Sequence, residues 1–331
     1  RRPIGTGPFK LDEWRLGERI TLVPNDQYYL EPRPSLSKVT FLLAGGSSFT
    51  MYENGEVDIT GVGVDDVERV RDASDPLNKE FHEGSSLDTS YIGFNVEKPP
   101  FDDVKVRQAF AMAIDKDTLA RVVLRDLVVV AKGILPPDMP GYVPNLEGLP
   151  FDPQRARQLL ADSKYGGRLP DITWVTSGQG GTAGPIVDAI LAMWKDNLGV
   201  TVTVEQEEFG LFLSDLDDGK FQLFDLAWIA DYIDPQNFLE IKFYSQNIGS
   251  TNETRYKNDR VDDLLEQAQT EQNQQERFRL YQKAERVIVE DAAWAPLFHG
   301  KNSYLVKPYV QGYEAPPLVI PHLRYVTIQG R

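Results

Sequence analysis

The sequence predicts an α/β protein built from two lobes, and three observations support this fold class. The chain has 331 residues, which suits two units at about 100–200 residues per domain. Its first part is rich in short strand-like segments. Between residues 171 and 229, strand and helix patterns alternate in the order βαβαβ. That order predicts a mainly parallel sheet with right-handed crossovers.

The first part of the chain shows the β-branched and aromatic enrichment of strands. The predicted strands there are Arg19–Pro24, Lys38–Leu43, Gly55–Thr60 and Thr89–Val96. Short turns with Gly, Pro and Asn separate them. Strand-like pieces return near the end of the chain, around Ser303–Val306 and Tyr325–Ile328.

Helical patterns dominate the rest of the chain. Apolar residues recur at helical spacing from Val104 to about Arg125, with Asp102 or Asp103 as a natural N-cap. Asp152 followed by Pro153 begins another helix, because proline suits the first helical position. Strands are predicted at 171–176, 200–206 and 221–229, and helices at 185–197, about 209–217, 259–270 and 275–289.

Composition excludes several classes of function. The net charge of −15 argues against a nucleic-acid binder, which needs a basic face. The chain has no cysteine, so disulfides, thiolate metal sites and cysteine nucleophiles are excluded. The histidines, His82, His299 and His322, lie far apart without ligand spacing. We therefore predict no catalytic residues, no metal and no cofactor.

A glycine-rich segment keeps one enzymatic alternative open. In Thr176–Pro185, Gly178, Gly180 and Ala183 match the spacing of a dinucleotide fingerprint between a strand and a helix. Glu205 or Glu207 could contact a ribose, although each comes later than the usual distance of about 20 residues. The alternative is a dinucleotide-dependent enzyme that uses the Gly178–Gly184 loop.

An acid among aromatic residues marks a candidate ligand site. Asp231 follows the apolar strand that ends near Trp228, and Tyr232, Asp234 and Pro235 come next. In open α/β sheets, ligands bind outside the carboxyl ends of parallel strands. A carboxylate at this point can meet a ligand without full burial. The competing interpretation is that Asp231 caps a helix or turn.

Longer segments resemble one known family. They include "GTGPFKLDEW", "YIGFN", "PPFDDVKVRQAFAMAIDKDTL", "WIADYIDPQNFL" and "ERFRLYQKAERVIVED". Taken in order from Gly5 to about Gly312, the chain resembles the family 5 extracellular solute-binding proteins of ABC transporters. That family includes proteins that bind oligopeptides, dipeptides, nickel and some oligosaccharides.

The resemblance implies a fold of the periplasmic binding protein type 2 class, with two mixed-sheet lobes joined by a hinge. Lobe one would comprise residues 1–95 and 303–331, and lobe two residues 96–302. The hinge would lie near Asn95–Pro100 and His299–Lys301. In the family, the G-T-G-P-F segment lies well inside the chain, so we expect a first segment of lobe one to precede Arg1.

The resemblance also implies a function and a set of ligand-binding residues. The protein would capture peptides in the cleft between the lobes and deliver them to the permease subunits of an ABC importer outside the cytoplasm. Asp231 would hold the ligand's α-amino group, Trp228 would pack against the ligand, and Tyr91 would line the cleft. Asn95 and Tyr232 complete the predicted set. Membrane association would occur only through the transporter or a lipid anchor outside this sequence.

An oligosaccharide-binding member of the same family remains a second possibility. In that case Trp228, Trp174 and Tyr232 would stack on sugar rings, and no amine would be required. Neither possibility involves nucleic acid.

Overall fold

The computed structural model describes residues 3–180, 182–318 and 321–330. The chain divides into two compact units. Unit one comprises the residues up to Gly84 and those from Lys301 onward, and unit two comprises Ser85–Gly300. The chain therefore passes from one unit to the other after Gly84 and again after Gly300. In the described part of the chain, no helix is long and apolar enough to cross a membrane.

Strands open and close the chain, and strands and helices are interspersed between these two ends. The strands are β1 (Phe9–Arg15), β2 (Arg19–Pro24), β3 (Val39–Leu42), β4 (Ile59–Gly61), β5 (Phe81–Ser85), β6 (Asp88–Phe94), β7 (Val128–Val130), β8 (Thr173–Ser177), β9 (Thr203–Glu207), β10 (Leu223–Ile229), β11 (Trp294–Val306), β12 (Val310–Gln311) and β13 (Thr327–Ile328). The helices are α1 (Ser48–Glu53), α2 (Val67–Arg71), α3 (Val104–Met112), α4 (Lys116–Thr118), α5 (Pro153–Ala161), α6 (Pro185–Leu198), α7 (Phe209–Asp217), α8 (Gln236–Phe243), α9 (Asp259–Thr270) and α10 (Gln274–Asp291).

Unit one is built from small antiparallel pieces. Strands β1, β2 and β3 form a three-stranded antiparallel sheet, and β12 pairs with β13. The last residues of β11 pair with β4, with Tyr304 opposite Gly61. A small apolar cluster forms around Val306, Val310 and Val326.

Unit two is organised around one mixed sheet. Strands β10, β8 and β9 run parallel, whereas β6 pairs antiparallel with both β10 and the first half of β11. The predicted βαβαβ order therefore gives the parallel part of the sheet. One face packs on α3, α5 and α6 through a core that includes Phe94, Phe110, Trp174 and Trp194. The mixed sheet agrees with the predicted α/β class.

Two details differ from the sequence-based expectation. Residues 85–95 were expected in lobe one, yet β6 pairs with β10 along its whole length and so belongs to unit two. The helix expected over 104–125 ends at Met112, because the Asp115 side chain accepts a hydrogen bond from the Thr118 N–H and starts a new turn. Local capping competes with helix continuation at that point.

Candidate ligand-binding site

The candidate site lies where β10 ends and the chain turns into α8. The segment Ala230–Pro235 forms this turn, and we call it the recognition loop. Asp231 is exposed there. Exposed apolar side chains flank it, since Ile229, Tyr232 and Ile233 are 44%, 43% and 49% accessible. The loop thus presents a carboxylate within an apolar surface at the carboxyl end of a parallel strand.

The buried side-chain amide of Asn237 supports the recognition loop. Asn237, in the first turn of α8, is fully buried. Its Oδ1 accepts hydrogen bonds from the Asp231 backbone N–H and from Trp228 Nε1, both at 3.1 Å. Its Nδ2 donates to Asp231 Oδ2 at 3.4 Å, and its backbone carbonyl accepts from Trp228 Nε1 at 2.9 Å. Asn237 therefore contacts two of the predicted ligand-binding residues, Asp231 in the loop and Trp228 in β10.

Asp234 anchors the other end of the loop. Its Oδ1 accepts from the Gln236 N–H at 2.9 Å, which shapes the turn around Pro235. The same carboxylate accepts two hydrogen bonds from Arg277 of α10, both at 2.7 Å. The bond to Asp234 raises the pKa of Arg277, so this guanidinium stays charged. Asp234 is thus committed to an internal ion pair, whereas Asp231 is not.

A buried ion pair lies against Trp228. The Lys242 ammonium sits 4.2 Å from the centroid of the Trp228 ring, a cation–π geometry. Lys242 is fully buried and pairs with the Glu253 carboxylate. Burial lowers the pKa of Lys242 and raises that of Glu253, while their mutual attraction favours the charged forms. The wall behind Trp228 is therefore ionic and closed to solvent.

Tyr91 lies in the interior rather than on a ligand-facing surface. It is 1% accessible and stacks on Trp294, with ring centroids 3.4 Å apart and planes 7° from parallel. Burial raises the pKa of Tyr91 well above its usual value. Tyr91 shares a sheet face with Trp228, because Tyr91 pairs with Leu226 and Thr89 pairs with Trp228. Trp294 covers the Tyr91 ring in this unit, and a contact between Tyr91 and the ligand stays a prediction.

Asn95 lies away from the recognition loop. It follows Phe94, which pairs with Leu223 at the start of β10, whereas the loop follows Ile229 at the other end. Six residues at about 3.3 Å each separate the two ends by roughly 20 Å. The Asn95 side chain is buried and donates to the Gly219 carbonyl while accepting from the Glu97 N–H. The structure does not bring Asn95 and Asp231 together, and Asn95 stabilises a turn.

The aromatic platforms expected for a sugar ligand are only partly available. Tyr232 is exposed, and its hydroxyl bonds the Gln236 side chain. Trp174, in contrast, is 1% accessible, and its Nε1 donates to Asp225 Oδ1 at 2.7 Å. Burial raises the pKa of Asp225. Since Trp174 belongs to the core, it offers no ring face to a ligand.

The glycine-rich loop has the expected context but lacks the chemistry of a phosphate site. It joins β8 to α6, as a dinucleotide fingerprint requires, and Gly181 lies outside the described residues. The Gly180 N–H already donates to Gln206 Oε1 at 2.9 Å. Pro185 occupies the start of α6 and has no N–H, and Asp188 places a negative charge in the first turn. These features disfavour a pyrophosphate at this helix terminus.

The part of the chain that the structure describes also contains no candidate metal site. Within residues 3–180, 182–318 and 321–330, no group of three or more His, Asp or Glu side chains could hold an ion. His299 is buried, and its Nδ1 lies 2.9 Å from the Thr89 hydroxyl. Burial lowers the pKa of His299 to about 4. His299 is therefore neutral near pH 7 and acts as a core residue.

Sequence reasoning missed four residues that support the recognition loop. They are Asn237, Lys242, Glu253 and Arg277. A signal existed for Lys242, because a lysine between the apolar residues Ile241 and Phe243 suggests a buried, paired charge. Glu253 and Arg277 carried no local signal, since each meets its partner only through the fold.

The chain is similar to known proteins over nearly its whole length. A sequence profile described as "Bacterial extracellular solute-binding proteins, family 5 Middle" matches residues 1–250. Heme-binding protein A of Haemophilus influenzae is 30% identical over 100% of this chain and 60% of its own length. The periplasmic oligopeptide-binding protein OppA of Salmonella typhimurium is 30% identical over 94% of this chain and 58% of its own length. The chain thus spans about 60% of these curated relatives.

Solved structures agree with the sequence matches. The periplasmic binding protein DppA of Helicobacter pylori, in complex with the peptide STSA, superposes with a TM-score of 0.85 at 27% identity, covering 99% of this chain and 64% of that one. The murein tripeptide-binding protein MppA of Escherichia coli gives a TM-score of 0.82 at 28% identity, covering 97% and 64%. The fold class predicted from the sequence is confirmed. The chain belongs to family 5 of the bacterial extracellular solute-binding proteins.

Proposed function

We propose that this protein is the solute-binding component of an ABC importer and that it captures peptides by their free amino terminus. The observation that carries this proposal is the state of Asp231. Its carboxylate is exposed, and no Lys or Arg side chain of the described residues pairs with it. A ligand ammonium can therefore bind this carboxylate without displacing an internal Lys or Arg.

The chemistry of the recognition loop suits that role. A bond between a carboxylate and an ammonium is about twice as strong as one between neutral groups. Ile229, Tyr232 and Ile233 surround Asp231 with apolar surface, which can exclude water from the bond. Among the relatives, several are named for oligopeptides, dipeptides or murein peptides. Their names and the geometry of Asp231 support the same ligand class.

Membership of a family of extracellular solute-binding proteins supports the importer role. Its members are extracellular, so the predicted extracytoplasmic localisation is confirmed. We propose that the loaded protein meets the permease subunits of its transporter and releases the peptide there. We also propose that it carries out no chemical turnover, because its site is organised to hold a charge and contains no nucleophile activated by a base.

A panel of ligands tests the proposal. Thermal unfolding is measured with short peptides, the same peptides N-acetylated, oligosaccharides, hemin and NAD. A ligand at 100 times its dissociation constant stabilises the folded state by about 2.7 kcal/mol. We expect stabilisation by free-amine peptides and little by the acetylated set. Hemin belongs in the panel because one relative is named a heme-binding protein.

Each alternative result has a definite meaning. Stabilisation by oligosaccharides, hemin or NAD without any effect of peptides contradicts the proposal. Equal stabilisation by free and acetylated peptides keeps peptide capture but removes the amine contact at Asp231. In the same assay, Asp231→Asn should lose the preference for free-amine peptides; its matched control is Asp263→Asn on α9, since Asp263 is also exposed and lies outside the recognition loop.

A further inference from the structure

We infer that Asn237 is the positioning residue of the ligand site, fixing Asp231 and Trp228 relative to each other with one side-chain amide. This inference rests on the proposed function, because it assigns a role within the same site. Asn237 does not itself face the ligand, since it is fully buried beneath the recognition loop.

The hydrogen bonds around Asn237 define only one orientation of its amide. Two donors, the Asp231 N–H and Trp228 Nε1–H, converge on Oδ1 at 3.1 Å. One acceptor, Asp231 Oδ2, faces Nδ2. An amide offers an oxygen acceptor on one side and two N–H donors on the other. Asparagine therefore matches this arrangement, and the reversed orientation would set like groups against each other.

Other residue types of similar size fail at this position for different reasons. Aspartate would keep an acceptor for the two donors but would place a second carboxylate against Asp231. Leucine would leave the Asp231 N–H without its acceptor, and a donor that loses its partner destabilises the loop. Serine could donate or accept but is too short to span both neighbours.

Helix α8 holds Trp228 at a second point. Asn237 binds the edge of the indole through Nε1, and Lys242 of the same helix contacts its ring face at 4.2 Å. Lys242 is fixed in turn by Glu253. Both contacts come from one rigid element, so α8 fixes the tryptophan and the carboxylate as a pair. The loop can then meet a ligand without first paying to order these two side chains.

The test is a comparison of buried asparagines. Asn237→Asp and Asn237→Ser are compared with Asn252→Asp in the full chain. Asn252 is also fully buried, and its side chain bonds the backbone of Tyr244 and Tyr256, not the recognition loop. Calorimetry measures the affinity for a tripeptide and for its N-acetylated form, and thermal unfolding reports the stability of each variant.

We expect Asn237→Asp to weaken binding of the free-amine tripeptide by about ten- to a hundredfold, because a displaced Asp231 loses its hydrogen bond to the ligand ammonium, and a hydrogen bond to a charged group contributes about 1.5–3 kcal/mol. The acetylated tripeptide should lose much less. Asn252→Asp should lower stability comparably while preserving the preference for the free amine. If Asn237→Asp does not fold, Asn237→Ser gives the same comparison with a smaller, uncharged change.

The outcomes separate this inference from the proposed function. If the wild type binds free and acetylated peptides equally, the amine contact itself is refuted, whatever the variants do. If the wild type prefers the free amine and both Asn237 variants keep that preference in full, the positioning role is refuted and the proposed function stands. Loss of the preference in the Asn237 variants alone supports the inference.

Discussion

Replacing Asp231 with asparagine should separate ligand binding from folding. The amide keeps the shape of the side chain and removes its charge. Asp231 is exposed, and its carboxylate accepts one side-chain hydrogen bond from the described residues, from Asn237 Nδ2, which is long at 3.4 Å. The folded state therefore gains little from this charge. We expect the free energy of unfolding to change by less than about 0.5 kcal/mol, as for an ordinary surface substitution.

The effect on binding should be much larger. Removing one partner of a hydrogen-bonded charge pair that is buried in a complex costs about 2–5 kcal/mol. Because Asp231 stands in an open loop, partial solvation of the bound amine argues for the lower half of that range. At about 1.4 kcal/mol per tenfold, Asp231→Asn should weaken peptide binding by roughly 30-fold to 300-fold.

A thermodynamic cycle provides the decisive assay. Calorimetry measures the wild type and Asp231→Asn, each with a free and an N-acetylated tripeptide. If Asp231 contacts the amine, acetylation and mutation remove the same interaction, so their combined effect should be smaller than the sum of the two. Additive losses would show that Asp231 does not contact the amine, and the reasoning from its exposed, unpaired carboxylate would then be refuted.

Three further predictions concern the frame around the site. Asp234→Asn should lower the free energy of unfolding by about 1–2 kcal/mol, because it breaks a bidentate, partly buried ion pair with Arg277. Chemical denaturation measures the change, and an unchanged denaturation midpoint would contradict the prediction. Burial raises the pKa of Glu285 in α10 from 4.5 to about 7, so the folded state binds this proton more tightly than the unfolded chain, and stability is lost as pH rises from 4.5 to 7. The stability of the wild type relative to Glu285→Gln should therefore be lower at pH 7.5 than at pH 4.5. Parallel profiles of unfolding free energy against pH for the two proteins would contradict this. The Tyr91 hydroxyl is buried without a hydrogen-bond partner among the described residues. Tyr91→Phe should therefore leave the free energy of unfolding unchanged or raise it. A lower melting temperature for Tyr91→Phe would contradict this and indicate a hydrogen-bond partner of the hydroxyl.

Elements with strong local signals could be predicted closely from the sequence. Helices α7 and α9 have the predicted bounds, since each combines apolar periodicity with a capping side chain, from Glu208 and Asn258 respectively. The break after α3 could not be predicted from periodicity. There the Asp115 side chain caps a new turn inside a pattern that still looks continuous. Local propensity and local capping compete, and their balance is settled by the surrounding packing.

The pairing of strands was harder to predict from the sequence than the positions of the strands. The pattern around β6 indicates a strand but carries no information about which strand it will pair with. Its full-length pairing with β10 places it in unit two and buries Tyr91 against Trp294. Alternation along a strand divides side chains between the two faces of the sheet. Only the elements that pack on each face decide which face is shielded from solvent.

The sequence by itself determined the family, the α/β class and the acid at the end of β10, because these depend on residues that are neighbours along the chain. Only the tertiary structure shows which of the two carboxylates, Asp231 or Asp234, forms an internal ion pair. Asp234 pairs with Arg277, 43 residues away, while Asp231 keeps an exposed charge. The support from Lys242 and Glu253 likewise arises only when the chain folds and shuts out water. Burial and ion pairing depend on segments distant in sequence, so the pattern of residues could locate the site but could not assign the role of each charge within it.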